Sequence, residues 1–222
     1  MTSNATRCLR WRLYVIVDRA AIGARDPAAV AAAAIRGGAD VLQLRAKAAS
    51  TRQLLKDAAR LLPLAREAGV PLIINDRPDI ARACGADGVH LGQDDLPLSE
   101  ARAILGPGRL IGTSTHNAAQ ALAAEAEGAD YIGVGPIFPT PTKPDYGSVG
   151  LGLIEEVARA VRVPQVCIGG LEAGNLTHVL EAGARCVAVV RAVCAAADPE
   201  SAARELKQRL AQFDRATSAP RL

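Results

Sequence analysis

"GADVLQLRAK", residues 38–47, decides the fold. Val41, Leu42 and Leu44 make a short apolar strand, and Gln43, Arg45 and Lys47 alternate along one side of it. The tripeptide in front of it recurs as GAD at 85–87 and 128–130 and as GAR at 183–185. Each copy closes an alanine-rich helical stretch and opens a strand, and its glycine suits the left-handed turn past a helix C-terminus. Outward from this unit, strand-like runs fall at 13–18, 41–45, 71–75, 88–92, 110–114, 131–135, 165–170 and 186–190. Helical stretches fall between and after them, near 27–36, 51–68, 78–84, 98–105, 117–127, 151–161, 174–182 and 199–213. Eight βα units with near-continuous apolar strands point to parallel pairing buried on both faces. The reading is an α/β chain of one domain, a (β/α)8 TIM barrel over 13–214. Residues 1–12 form an N-terminal extension and 215–222 a frayed tail. A doubly wound open sheet is the runner-up, but the first βα turn, "VDRAAIGARDP" (17–27), lacks GxGxxG.

The totals exclude several classes. Half of the 222 residues are apolar, enough for a substantial core. A formal charge of +3 without a basic run gives no case for nucleic acid or a membrane surface. Five scattered cysteines without a CxxC pair read as buried reduced thiols, and "MTSNATRCLRWR" lacks the apolar core of a secretory signal. No uncharged apolar run is long enough to span a bilayer. The expected setting is the cytoplasm, with small molecules as partners. A monomer and a homo-oligomer are both open.

In such a barrel the chemistry gathers at the C-terminal strand ends. There the sequence puts Gln43, Arg45 and Lys47 after the second strand and Asn75 and Asp76 after the third. His90, Gln93, Asp94 and Asp95 follow on the fourth, and Ser114 and His116 on the fifth. The second-strand residues could be a solvated edge, but an unpaired inward charge is costly, which favours a binding role. "IIND" and "GQDDLPLSE" each read equally well as a turn or helix cap. Together they set two carboxylates beside two cations, a donor set that suits Mg²⁺. His90 reads as a satisfied core histidine and His178 as an exposed helix residue, while at 116–117 a helix cap by Asn117 is as plausible as catalysis by His116.

The sixth strand runs into "GPIFPTPTKPDYGSVG" (135–150), whose four prolines permit neither strand nor helix. A connection of this length is more often functional than a spacer. Gly169 and Gly170 after the seventh strand, with Val190 and Arg191 after the eighth, suit a backbone nest for phosphate. Two anionic subsites emerge: a metal with Arg45, Lys47 and Lys143, suited to a diphosphate, and a metal-free nest, suited to a monophosphate.

Read in order, QLRAK (43–47), IND (74–76), GVHLGQDDL (88–96), GTSTH (112–116), GVGPIFPTPTK (133–143), IGG (168–170) and VVRAV (189–193) resemble the thiamine-phosphate synthase family over nearly the whole chain. That resemblance implies a transferase of thiamine biosynthesis on a (β/α)8 barrel. It joins a hydroxymethylpyrimidine diphosphate to thiazole phosphate, or its carboxylated form, and releases pyrophosphate. It further implies that Gln43, Arg45, Lys47, Asn75, Ser114 and Lys143 hold the pyrimidine diphosphate, with Arg45, Lys47, Ser114 and Lys143 catalytic. Asp76 and Asp95 would bind Mg²⁺. Thr140, Pro141, Thr142, Gly170, Val190 and Arg191 would hold the thiazole phosphate. Ala46 and Arg191 depart from the family pattern, which more often has an acid and a serine there. A thiazole tautomerase-like or a regulatory relative on the same barrel is the alternative.

Overall fold

The computed structural model describes residues 4–141 and 147–218. A short helix, α1 (Asn4–Cys8), precedes β1 (Leu13–Asp18), α2 (Arg19–Ile22) and α3 (Pro27–Arg36). Next come β2 (Val41–Arg45), α4 (Thr51–Glu67), β3 (Leu72–Asn75), α5 (Pro78–Cys84), β4 (Gly88–Leu91) and α6 (Leu98–Leu105). The chain continues with β5 (Leu110–Thr115), α7 (Ala118–Ala126), β6 (Tyr131–Val134) and α8 (Gly152–Ala160). It ends with β7 (Gln165–Ile168), α9 (Leu176–Glu181), β8 (Cys186–Val189), α10 (Arg191–Cys194) and α11 (Pro199–Ser218). The strands pair in parallel in the order β1 to β8, and β8 closes back on β1 with Leu13 opposite Val187. Closure rules out the open doubly wound sheet.

Side-chain alternation sorts the strands into two cores. Outward residues such as Val15, Leu42, Ile74 and Ile132 pack under the helices. Inward residues, among them Tyr14, Ile73, Leu110, Tyr131 and Val166, fill the barrel. Two bulky rings need room there, and Gly112 on β5 supplies it: a Cβ at that position would lie 2.1 Å from the Tyr131 ring. Trp11, in the N-terminal extension, plugs the bottom and meets Tyr14 and Tyr131 edge-on, with ring centroids 6.0 and 5.2 Å away.

The GAD repeat has a structural reason. Its glycines Gly38, Gly85 and Gly128 all adopt positive φ. Each aspartate then ties the entrance of its strand to that of the strand before. Asp40, Asp87 and Asp130 accept from the amides of Leu13, Leu72 and Ile111 at 2.8, 3.0 and 2.8 Å. Their own amides return bonds to the carbonyls of the same three residues at 2.8, 2.9 and 2.8 Å. At the fourth copy Arg185 has no carboxylate to make this tie; elsewhere on the same face Glu125 of α7 accepts from the Arg162 and Val163 amides, just ahead of β7, at 2.5 and 2.7 Å.

Three short helices, α1, α2 and α10, have no counterpart among the predicted elements, because four or five residues carry no readable period. The last helix runs to Ser218 rather than 213, since no glycine or proline interrupts it before Pro220. Residues 215–218, assigned to the tail, therefore continue α11, and 219–222 lie outside the described residues.

Candidate active site

The C-terminal strand ends surround a cavity of about 420 Å³. Gln43, Arg45, Lys47, Asn75, Asp76, Asp95 and Ser114 line one side of it. Thr140, Pro141, Gly170, Val190 and Arg191 line the other. Thr142 and Lys143 lie outside the described residues. Asp94 is exposed and does not face the cavity, and Ala46 packs against the outer core.

The anionic and cationic groups are paired. Lys47 Nζ lies 3.3 Å from Asp76 Oδ2. Asp76 sits at φ 63°, in the left-handed region, so its side chain leaves the backbone at an angle that ordinary strand geometry does not give. Burial pushes its carboxyl pKa up, and the neighbouring Asp95 carboxyl adds to the rise, outweighing Lys47. Asp95 turns back to accept the Gly92 amide at 2.6 Å. Arg45 forms a buried ion pair with Asp18, whose other oxygen caps α2 through the Ala20 amide at 2.8 Å. Asp76 and Asp95 are hard oxygen donors on neighbouring strand ends, a set that fits Mg²⁺ completed by substrate and water. Among the described residues no group of three or more candidate ligands occurs.

Beneath the mouth, polar groups from five strands are joined in a line. Gln43 Nε2 donates to the Tyr14 hydroxyl at 2.9 Å, and Tyr14 lies 3.1 Å from the Tyr131 hydroxyl. His90 Nδ1 is 3.2 Å from Tyr131 and its Nε2 3.0 Å from Ser114 Oγ. His90, read from sequence as a core residue, faces the cavity and stacks on Tyr131 at 5.5 Å.

On the opposite wall Gly169 and Gly170 take φ of 107° and 62°. The connection after β6 presses against them; a Cβ on Gly169 would lie 2.4 Å from Pro136 Cα, and one on Gly170 2.7 Å from the Pro139 carbonyl. Asn175 holds the turn, donating to the Gly170 carbonyl at 2.8 Å and accepting from the Glu172 amide at 3.0 Å. His116 ties the start of the β6 connection through the Gly135 carbonyl at 2.5 Å, while Asn117 caps α7 at Gln120. Arg191 begins α10 and is exposed at the cavity rim.

Sequence reasoning missed Asp18, Tyr14 and Tyr131. All three carried an available signal: a polar atom at an inward position of a strand that is otherwise apolar.

A cavity at the C-terminal rim of a closed (β/α)8 barrel, lined by paired carboxylates and cations, defines the chain as a barrel enzyme. Residues 13–193 match the thiamine monophosphate synthase family, and the chain belongs to that family. It is 51% identical over 198 residues to a thiamine-phosphate synthase of Chloroflexus aurantiacus, covering 89% of this chain and 91% of that one. A thiamine-phosphate synthase of Roseiflexus castenholzii is 49% identical over 195 residues, covering 87% and 86%. The solved structure of a thiamine phosphate pyrophosphorylase from Pyrococcus furiosus superposes with a TM-score of 0.86 at 36% identity, covering 94% of this chain and 98% of that one.

Proposed function

We propose that the chain is a thiamine-phosphate synthase that condenses a hydroxymethylpyrimidine diphosphate with thiazole phosphate and releases pyrophosphate. The observation that carries this reading is the division of one cavity. Paired carboxylates and cations stand on the β2–β4 side, and a glycine nest stands on the β7–β8 side. The first suits a diphosphate and the second a monophosphate.

In this reading Gln43 and Ser114 hold the aminopyrimidine ring over the floor. Asn75, Arg45 and Lys47 take the diphosphate, joined by Lys143 from the β6 connection. Asp76 and Asp95 would hold Mg²⁺, which when bound neutralises diphosphate charge. The electron-rich ring expels its diphosphate to leave a stabilised cation, and the thiazole nitrogen captures it. The nucleophile carries no proton to remove, so no general base is needed. What the protein supplies is stabilisation of the departing charge and exclusion of water. Asp18 keeps Arg45 directed along the strand end. Thr140, Pro141 and Thr142, with Gly170, Val190 and Arg191, hold the thiazole phosphate.

Pyrophosphate measured with each component omitted in turn tests the reaction. Release requiring both substrates and Mg²⁺ is expected. Release from the pyrimidine diphosphate alone, or equal rates in a chelator, would overturn it.

A further inference from the structure

The line of hydrogen bonds under the cavity has a direction that follows from its donors. Gln43 Nε2 can only donate, so the Tyr14 hydroxyl accepts from it and must send its own proton elsewhere. The acceptor in reach among the described residues is the Tyr131 hydroxyl. Tyr131 in turn donates to His90 Nδ1, which leaves the imidazole proton on Nε2, directed at Ser114 Oγ. Ser114 has then accepted once from the protein and keeps a proton to give to the cavity. Gln43, with its amide nitrogen engaged below, turns Oε1 to the cavity as an acceptor.

We propose that Tyr14 and Tyr131 are positioning residues that set this polarity, so that Gln43 presents an acceptor and Ser114 a donor to the bound ring. A floor of that kind complements a heteroaromatic edge with an amino group near a lone-pair ring nitrogen. It rejects a ring in which the amino group is replaced by a carbonyl, because that places acceptor against acceptor. The inference rests on the pyrimidine reading of this site and specifies which face of chemistry the site reads. Three features support it. Both tyrosines are almost fully buried, at 1% and 0% exposure, and burial pushes their pKa values above the ordinary phenol value, so both remain protonated donors. Trp11 wedges both rings from below. Gly112 leaves the space that lets Tyr131 reach across β5 to His90. With the Gln43 amide turned over, every bond would reverse, His90 would carry its proton on Nδ1, and Ser114 would become an acceptor.

Nitrogen NMR of the histidine rings in the full chain distinguishes the two directions. It is recorded at about pH 8, above the ordinary imidazole pKa, with the signals assigned through His90→Gln. A pyrrole-type Nε2 and a pyridine-type Nδ1 are expected for His90. Tyr131→Phe should move the Nδ1 signal, since its hydrogen-bond donor is gone. In kinetics, Tyr131→Phe and Tyr14→Phe should each raise the pyrimidine diphosphate KM about five- to tenfold, the loss of one hydrogen bond, and leave the thiazole phosphate KM within about twofold. A proton on Nδ1, an imidazolium, an unmoved Nδ1 signal in Tyr131→Phe, or an equal rise in both KM values would overturn the proposal. The spectrum of the unsubstituted chain needs neither turnover nor a stable variant. A chain that made no pyrophosphate would therefore sink the proposed reaction while the relay was still judged by its protons.

Discussion

Asp76 combines a left-handed backbone with a carboxyl held beside another carboxyl, so two separate penalties meet in one residue. Asparagine tolerates the same backbone region, and Asp76→Asn therefore removes the charge without new strain. Mg²⁺-dependent turnover should fall about a hundred- to thousandfold in Asp76→Asn and in Asp95→Asn, as for loss of one preorganised electrostatic group. Asp94→Asn should matter less; wild-type rates across a Mg²⁺ titration in either of the first two variants would remove that residue from the metal site. The raised pKa of Asp76 also has a sign in stability. The folded chain binds that proton more tightly than the unfolded chain, so stability falls as pH rises from about 4, the ordinary aspartate value, through the raised one. Without Mg²⁺, Asp76→Asn should melt above the parent at neutral pH, and the gap should close below about pH 4. Melting curves in chelator check this, and a parent that melts higher throughout would contradict it. For Lys143 the expectation is a kcat loss of about a hundred- to thousandfold on Lys143→Ala. Thr142→Ala should mainly raise the thiazole phosphate KM, and steady-state kinetics with each substrate varied separate the two. Gln43, Arg45 and Lys47 were legible in the sequence because strand alternation projects them to one rim, and Asp76 because it directly follows a strand end, although its left-handed backbone was not readable. The inward place of Asp18 was readable too, but its pairing with Arg45 was not, since it ends an apolar run and looks like a helix cap, which it also is.

At the scale of elements, the GAD turns show a division between the two ends of the barrel. Their aspartates bond the strand entrances, on the face opposite the cavity. Asp130→Ala would strip the Ile111 amide and the Arg102 guanidinium, both 2.8 Å away, of their acceptor. A buried donor left unpaired costs about 1–3 kcal/mol, or roughly 2–12 °C in Tm for a chain of this size. Thermal melts should show that loss with kcat unchanged, and a fall in kcat at full stability would contradict the division. All eight strands and eight of the helices were readable from hydrophobic period and turn residues, because each is long enough to show a pattern. The helices α1, α2 and α10 were not, being held by caps and by what they pack on. The grip of Glu125 on the Arg162 and Val163 amides ahead of β7 is a tertiary contact that no local pattern contains.

Across the whole molecule, the N-terminal extension belongs to the barrel it precedes. Arg12 pairs with Asp214 of α11 at 2.6 Å, and Trp11 is 4% exposed inside the lower opening. Truncating so large a buried ring, as in Trp11→Ala, costs about 3–5 kcal/mol. Denaturant titration should show that drop together with a rise in the pyrimidine diphosphate KM, because the tyrosine rings lose their wedge. A change in stability alone would separate the plug from the floor it touches. Trp11 is also the sole tryptophan in the sequence, and two of the three tyrosines stand within about 6 Å of it, at 6.0 and 5.2 Å. Excitation absorbed by those phenols passes to one indole in an apolar setting, directly below the substrate cavity. The chain thus carries an unlabelled optical reporter, whose emission colour follows unplugging and whose intensity follows any ligand that disturbs the two rings above it.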